Sequence, residues 1–280
     1  MRVYEEALPR DVYVPPPAKA VPGSGFGSGS GIGTENQAAW RQHAVAAPAS
    51  DGRARLAIVI DDMGVDRKRS PRIVALPGPL SLSYLTYARD IQAQTRAARD
   101  AGHELMLHIA MEPTGTAVDP GPNVLRAGAG ADDIRAGLEW GLSRFEGYVG
   151  VNNHMGSKFT ENADGMAVVM DELKKRGLLF LDSRTTPRTV GRTLALEAGV
   201  PVLERNVFLD HVNDEAEIAK RLDEAERFAR THGTAIAIGH PRSATIRVLA
   251  ARLPQLAARG IQLVPLTALL KTPVTVAETP

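Results

Sequence analysis

The chain has 280 residues, of which 44% are hydrophobic and 23% charged, so its length and composition suit a globular protein with one sizeable core. The formal net charge of +1 and the aromatic content of 5% argue against a nucleic-acid-binding surface. No cysteine is present, which excludes disulfides, thiolate metal sites and cysteine nucleophiles.

The first 52 residues are predicted to be a flexible tail or linker. Three consecutive prolines at 15–17 and a Gly/Ser-rich run at 23–33 favour coil over a packed domain. The segment 36–46 allows two interpretations, a short helix that docks through Trp40 or a loosely ordered tail, and the tail is favoured. Residues 273–280 are predicted to be a second, C-terminal tail.

Neither a signal peptide nor a membrane span is expected within this sequence. The N-terminal segment lacks a basic stretch followed by a sufficiently long apolar run. No run of about 18 apolar residues occurs anywhere in the chain. Whether an export signal or anchor lies outside this sequence stays open.

From Leu56 onward, short apolar runs alternate with longer amphipathic stretches. Several runs are continuously apolar, which is typical of strands buried on both faces. The predicted strands are 56–60, 80–85, 104–109, 148–151, 178–181, 207–209, 235–238 and 261–264. The predicted helices, recognised by their charge distribution or a terminal glycine, are 90–102, 131–145, 163–177 and 213–233.

Repeated alternation of strand and helix predicts an α/β fold with a mostly parallel sheet of seven or eight strands over 53–272. A barrel and a doubly wound open sheet are both compatible with this pattern. No Gly-rich phosphate loop follows the first strand, where the sequence is IDDMG, so dinucleotide-binding and P-loop folds are excluded. Its absence favours a distorted (β/α) barrel.

Polar or ionisable residues follow six separate apolar runs. In a parallel barrel these ends converge on one face, where active sites are found. The residues are Asp61 and Asp62; His108, with Glu112 close behind; Asn152, Asn153 and His154; Asp182; Asp210 and His211; and His240. The sequence therefore predicts a functional site at this face.

Histidine and aspartate without cysteine are ligands for zinc, manganese, cobalt or iron. Catalytic zinc takes three protein ligands plus water, and Asp62, His108 and His154 offer such a set. His103 is excluded, because on a strand it points to the face opposite His108 and lies roughly 16 Å away.

Six segments in this order resemble the divergent polysaccharide deacetylase family, a branch of the NodB-type carbohydrate deacetylases. They are IDDMG, MLHIAMEP, NNHMGSKFT, LDSRT, FLD and IGHPR, and the resemblance covers roughly 56–270. It implies a distorted, NodB-like (β/α) barrel and metal-dependent removal of acetyl groups from N-acetylated sugars. NNHMGS and the Asp-Asp pair are its most specific parts.

The resemblance also implies residue roles. Asp61 matches the catalytic base, Asp62 a metal ligand and His240 the acid that protonates the leaving amine. The H-x-x-x-H metal motif of NodB-type enzymes is absent, and His154 is the replacement ligand that we expect beside His108. Zinc is the favoured metal.

Other roles are less determined by the sequence. Asp182 or Asp210 is expected to orient His240, although each also suits a helix cap, as do Asp61 and Asp62 before a turn. His108 and His240 also suit hydrogen-bonded or packing roles. Expected substrate contacts are Glu112, Asn152 and Asn153, although the two asparagines equally suit loop hydrogen bonding; His43, His211 and His232 are interpreted as surface residues.

Two functions follow. The first is a metal-dependent deacetylase acting on a sugar polymer or oligosaccharide in the periplasm or cell envelope. The second is a catalytically inactive protein that binds polysaccharide or acts as a scaffold on the same fold. A different metal-dependent amidohydrolase is a distant third, because the fold alone does not choose the substrate.

Overall fold

A computed structural model describes residues 38–270. Its nine strands, in chain order, are β1 Ala54–Met63, β2 Ser81–Leu85, β3 Glu104–Met111, β4 Gly150–Met155, β5 Leu179–Asp182, β6 Val202–Glu204, β7 Val207–Phe208, β8 Thr234–Gly239 and β9 Ile261–Leu263. The strands predicted from apolar runs are all present, and β6 is an addition. The Pro- and Gly-rich parts of the predicted N-terminal tail, and the C-terminal tail, lie outside the described residues.

The helices connect and cover the strands. They are α1 Ala39–Gln42, α2 Ser70–Val74, α3 Ile91–Asp100, α4 Ala131–Leu142, α5 Ala163–Arg176, α6 Gly191–Ala198, α7 Glu215–His232 and α8 Ser243–Arg252, with 3₁₀ turns at Phe159–Glu161, Leu253–Gln255 and Leu266–Leu269. The four predicted helices correspond to α3, α4, α5 and α7. Among the described residues, no helix is long and apolar enough to cross a membrane.

The strands form one sheet in the order β6-β5-β4-β3-β2-β1-β8-β7, and β9 pairs with β1. Every strand pairing within residues 38–270 is parallel. In this part of the chain β6 and β7 form the two ends of the strand order and do not pair, so the barrel is incomplete. The predicted distorted (β/α) barrel of parallel strands is confirmed.

Each face of the sheet packs in an apolar layer, and β1 contributes side chains to both layers. Leu56, Ile58 and Ile60 pack into the larger layer beneath the helices, whereas Ala57 and Val59 pack into a smaller inner layer. This division follows from the alternation of side chains along a strand. Because both faces are buried, the run is continuously apolar until it reaches the aspartates, which are thereby held at its end.

The helices begin and end at residues that satisfy their terminal backbone groups. Asn162 accepts a hydrogen bond from Gly165 N at the start of α5, and Asp214 accepts from two backbone N–H groups at the start of α7. Gly177 and Gly233 end the same helices with φ of 62° and 83°, a left-handed conformation that glycine adopts without strain. These signals fix the lengths of the helices that return the chain to the sheet.

The segment before β1 packs on the domain. Trp40 in α1 donates its backbone N–H to Gly177 O at 3.0 Å and contacts the inner apolar layer. For this part of 36–46, the docked helix is the correct alternative and the favoured loose tail is wrong. Trp40 supplies the apolar surface that such a short helix needs, because four residues have little helical stability alone. The predicted boundary at 52/53 stays a prediction.

Candidate metal and catalytic site

The carboxyl ends of the strands meet around a cavity of about 190 Å³. Its lining includes residues from the ends of four strands: Asp61 and Asp62 from β1, His108 from β3, Asn153 and His154 from β4, and His240 directly after β8. The aspartates, His108 and the β4 residues lie within the last four residues of their strands rather than in the loops that follow. The strands themselves therefore fix their positions.

The position of Asp62 depends on an irregularity near the end of β1. The pairing of β1 with β2 shifts register between Ile60 and Met63, which indicates a bulge. Asp62 has a φ of 55°, in the left-handed region that aspartate tolerates better than most residues. The bulge interrupts the strict alternation of the strand, and both Asp61 and Asp62 consequently line the cavity.

Three ligand atoms converge on one point. Asp62 Oδ1 lies 2.9 Å from His154 Nδ1 and 3.2 Å from His108 Nε2, and the two ring nitrogens are 3.3 Å apart. Adjacent ligands bonded at about 2.0–2.2 Å to a tetrahedral or octahedral ion lie roughly 2.8–3.6 Å apart. Within residues 38–270, buried Asp62 Oδ1 has no hydrogen-bond partner despite these close contacts. The three residues therefore fit a divalent metal ion.

Asn152 orients the ring of His108. The Asp61 carboxylate can only accept, so it receives the Asn152 amide N–H, at 2.7 Å between Nδ2 and Oδ1. The amide oxygen of Asn152 therefore faces His108 and accepts from its Nδ1–H at 2.8 Å, while Ser83 Oγ donates to the same oxygen. Placing the ring proton on Nδ1 leaves the Nε2 lone pair directed at the metal position.

The two aspartates have opposite pKa shifts. Burial raises the pKa of Asp61, outweighing the charges of His108 and His240, which lower it. Burial acts in the same direction on Asp62, but His154 and His108 hold the pKa of Asp62 well below its usual range. Asp62 is thus suited to remain an anionic ligand, whereas Asp61 is the more basic carboxylate.

His240 forms a buried pair with Asp210. His240 Nδ1 lies 2.9 Å from Asp210 Oδ1, and Asp210 Oδ2 accepts from the backbone N–H of His240 and from Thr245 Oγ1. Although burial lowers the pKa of His240, the Asp210 carboxylate and its hydrogen bond dominate and raise it to about 10. His240 Nε2 lies 3.9 Å from Asp62 Oδ2, so a protonated imidazole faces the metal position.

Two residues expected in the site, Asp182 and Glu112, lie outside the cavity lining. Asp182 is buried beside it, and its oxygens accept from Arg184 N and Thr189 Oγ1. Glu112 pairs with Lys158 at 2.8 Å and accepts from Ala127 N. The structure places both apart from the cavity lining, and Asp210 takes the orienting position for which Asp182 was the alternative.

The two asparagines differ in position, because they alternate across β4. Asn152 is fully buried behind the ligands rather than exposed to a substrate. Asn153 lines the cavity, while its side chain also accepts from Ser183 N and donates to Met155 O. Asn152 therefore supports His108 and Asp61, and Asn153 is the one of the two that a substrate could reach.

The remaining histidines fall into two groups. His103 is fully buried far from the cavity, with Nδ1 accepting from Leu80 N and Nε2 2.9 Å from Val74 O, as its exclusion required. His43 and His232 also lie outside the cavity lining, and His232 is exposed. His211 is half-buried and lines the cavity, so its interpretation as a surface residue is wrong.

Several cavity residues were not predicted from the sequence: Met155, Ser183, Thr185, Arg205, Phe208, Ile238 and Arg242. Arg242 could have been found, because it stands in the IGHPR segment two residues after His240. Arg205 follows β6, a three-residue strand that is only partly buried and leaves no strong apolar signal. Except for Met155, which belongs to β4, these residues come from strands or loops that hold none of the three ligands.

Comparison with known proteins gives relatives that cover most of the chain. An uncharacterized protein of Haemophilus influenzae is 37% identical over 215 residues, which is 77% of this chain and 76% of that protein. The Escherichia coli protein YibQ is 38% identical over 70% of this chain, and the match spans 61% of that longer protein.

Solved structures share the fold. A protein of Agrobacterium tumefaciens superposes with a TM-score of 0.79 at 31% identity, covering 83% of this chain and 95% of that one. The catalytic domain of a peptidoglycan N-acetylglucosamine deacetylase from Eubacterium rectale has a TM-score of 0.50 at 13% identity, covering 79% and 92%. The family model of the divergent polysaccharide deacetylases matches residues 58–270, and the chain belongs to that family.

Proposed function

We propose that this protein is a metal-dependent hydrolase that removes acetyl groups from N-acetylated sugars in a polysaccharide or oligosaccharide of the periplasm or cell envelope. The convergence of Asp62, His108 and His154 within 3.3 Å of one another is the observation that carries the proposal. Asp61 and the His240–Asp210 pair beside it supply the acid and base that amide hydrolysis requires.

The metal that we propose is zinc, since two imidazole nitrogens and one carboxylate are a common ligand set for catalytic zinc; manganese, cobalt and iron also accept these donors. When bound, the metal lowers the pKa of a water molecule and polarises the acetyl carbonyl. Asp62, with its lowered pKa, contributes the negative charge of the ligand set. Asn152 keeps the His108 lone pair directed at the ion.

The proton transfers belong to residues of the chain. Asp61, whose pKa burial raises, accepts the proton from the attacking water. His240, protonated at neutral pH, donates a proton to the sugar nitrogen as the amide carbon–nitrogen bond breaks. Asp210 orients the imidazole by its 2.9 Å contact with Nδ1 and stabilises the positive charge. The products are acetate and the free amino sugar.

A second candidate function is binding of polysaccharide, or a scaffolding role, without turnover. It is favoured by the departure from the H-x-x-x-H motif, since His154 comes from β4 rather than from the segment that holds His108. A cavity that retains its shape but loses the reactive geometry would hold a sugar chain without hydrolysing it.

The experiment is acetate release from an N-acetylglucosamine oligosaccharide by zinc-loaded protein. Wild type is compared with Asp61→Asn and His240→Asn, and Glu112→Gln, outside the cavity, is the matched control. We expect turnover in wild type and Glu112→Gln, and a decrease of at least about a hundredfold in the two site variants. Binding of the oligosaccharide without acetate release, by protein that holds its metal, would favour the second function.

A further inference from the structure

The cavity has a cationic wall that the proposed chemistry does not use. Arg205 and Arg242 line it together with Phe208 and His211. Phe208 is the last residue of β7, and the other three follow β6, β7 and β8. The metal ligands belong to β1, β3 and β4. The only carboxylates among the described residues that line the cavity are Asp61 and Asp62, both assigned to the reaction centre.

Arg205 is held in a fixed orientation. Its Nε donates to Ser183 O at 2.7 Å and its Nη2 to Arg184 O at 2.9 Å. The guanidinium carbon lies 5.1 Å from the centre of the Phe208 ring, a cation–π distance. These contacts reduce the side-chain entropy that ligand binding would otherwise cost, so the guanidinium is preorganised at the cavity wall.

Arg242 is anchored by a different part of the same wall. Its Nη1 donates to the carbonyl oxygen of Asp210, the residue whose carboxylate orients His240. Arg242 is half-buried, and burial lowers its pKa, although a guanidinium remains protonated at neutral pH. Because water is partly excluded around a half-buried cation, this guanidinium would interact more strongly than an exposed one with an anion that enters the cavity.

The cationic wall lies close to the reaction centre. The Phe208 ring, which supports Arg205, is 5.5 Å from the His240 ring between centroids, and His211 lies next to Phe208 at 6.3 Å. His240 Nε2 is in turn 3.9 Å from Asp62 Oδ2. A group bound at this wall would therefore belong to the sugar under reaction or to its neighbour in the chain.

We propose that Arg205 and Arg242 form a subsite for an anionic substituent of the glycan, a carboxylate or a phosphate, so that the preferred substrate is an acidic N-acetylated glycan. This rests on the proposed function and specifies its substrate class. Guanidinium groups bind both anions through paired N–H donors. A bound divalent ion would offset the charge of Asp62, so that the lining taken as a whole would favour an anion.

The test compares ligands that differ only in the anion. Binding of an oligosaccharide in which N-acetylglucosamine alternates with a uronic acid is measured by calorimetry beside its uronate methyl ester. Zinc-loaded and chelated proteins are both used, as wild type, Arg205→Gln, Arg205→Lys and Arg242→Gln. Arg192→Gln is the matched control, since Arg192 is exposed, pairs with Glu204 and does not line the cavity.

We expect the acid to bind about tenfold to a hundredfold more tightly than the ester, and this preference to decrease in Arg205→Gln and Arg242→Gln but not in Arg192→Gln. Arg205→Lys keeps the positive charge but loses the planar pair of N–H donors, so it should retain part of the preference for the acid. A phosphate-bearing oligosaccharide with the same sugar backbone shows which anion the wall prefers.

Equal binding of acid and ester would overturn the subsite and leave the deacetylase proposal intact. A preference for the acid that disappears on chelation would place the anion on the metal, and the subsite would again be wrong. Failure of both ligands to bind, with or without metal, would contradict the carbohydrate function itself. The ligand comparison in wild type stands even if an arginine variant does not fold.

Discussion

Both ends of β3 carry buried ionisable side chains, but the surroundings of these side chains differ. At the start of the strand, Glu104 accepts from Ser81 Oγ at 3.1 Å, from Thr267 N at 3.2 Å and from Thr267 Oγ1. Near its end, His108 lies 3.2 Å from Asp62 and 3.3 Å from His154 at the wall of the cavity. Glu104 is surrounded by donors, whereas the ligand atoms at the other end face one another.

This difference separates a structural polar cluster from a functional one. Burial raises the pKa of Glu104, and its hydrogen bonds from Thr267 and Ser81 offset part of that cost. Its contacts join β3 to β2 and to the segment after β9, which closes that end of the barrel. At the site, buried Asp62 Oδ1 has no hydrogen-bond partner within the described range. Burial alone therefore does not mark a site, but converging acceptors at a cavity do.

The largest expected effect concerns His240 at the functional end. In metal-free protein its folded pKa of about 10 lies above the unfolded value of 6.5, so the protonated form stabilises the fold. This stability is fully present below pH 6.5 and is lost as pH rises through about 10, with an upper limit of about 5 kcal/mol. Urea unfolding between pH 6.5 and 9.5, in chelator, measures the slope.

Asp210→Asn is the paired variant for this experiment, because it removes the carboxylate that raises the pKa of His240. We expect a smaller decrease of the free energy of unfolding with pH than in wild type, whatever its absolute stability. Equal slopes in the two proteins would show that the Asp210–His240 pair does not control the pKa.

At the structural end, Glu104→Ala should destabilise the protein by about 3 kcal/mol, because three donors lose their acceptor at roughly 1 kcal/mol each. Metal affinity should be unchanged. Chemical denaturation and calorimetric zinc titration measure the two quantities. A loss of metal binding in a folded Glu104→Ala protein would show that the metal site depends on the Glu104 cluster at the other end of β3.

Asn152→Ala should weaken zinc binding by about tenfold to a hundredfold, since this residue orients His108 and contacts Asp61. Asn206→Ala is the control, because it also removes an asparagine side chain that accepts a hydrogen bond, here from the backbone N–H of Ile236, but lies outside the cavity. Unchanged zinc affinity in Asn152→Ala would mean that the ligand geometry does not depend on the amide.

Much of this architecture could be predicted from the sequence, because it follows from local patterns. Continuous apolar runs predicted the buried strands, and polar residues at their ends predicted the convergence of Asp62, His108 and His154. Short elements were not predicted: β6 has three partly buried residues, and α2 is a helix of five residues. Such segments form because long-range packing stabilises them, which no local pattern records.

The sequence left the finer assignments open where only three-dimensional geometry decides. Asp182 and Asp210 both follow apolar runs, yet the oxygens of Asp182 accept from Thr189 and Arg184 while Asp210 pairs with His240. The sequence also could not show that Arg205, from a loop between two short strands, lies at the cavity. The register of the strands and the paths of the loops determine these contacts, and neither can be read from the spacing of residues in the sequence.

The metal content of purified protein tests the central claim most directly. Elemental analysis after zinc exposure compares wild type with His154→Ala, and with His103→Ala, which removes a buried histidine far from the cavity. We predict one equivalent of metal in wild type and in folded His103→Ala, and loss of that metal in His154→Ala. No metal in wild type after exposure to zinc or manganese, or metal retained by His154→Ala, would contradict the account.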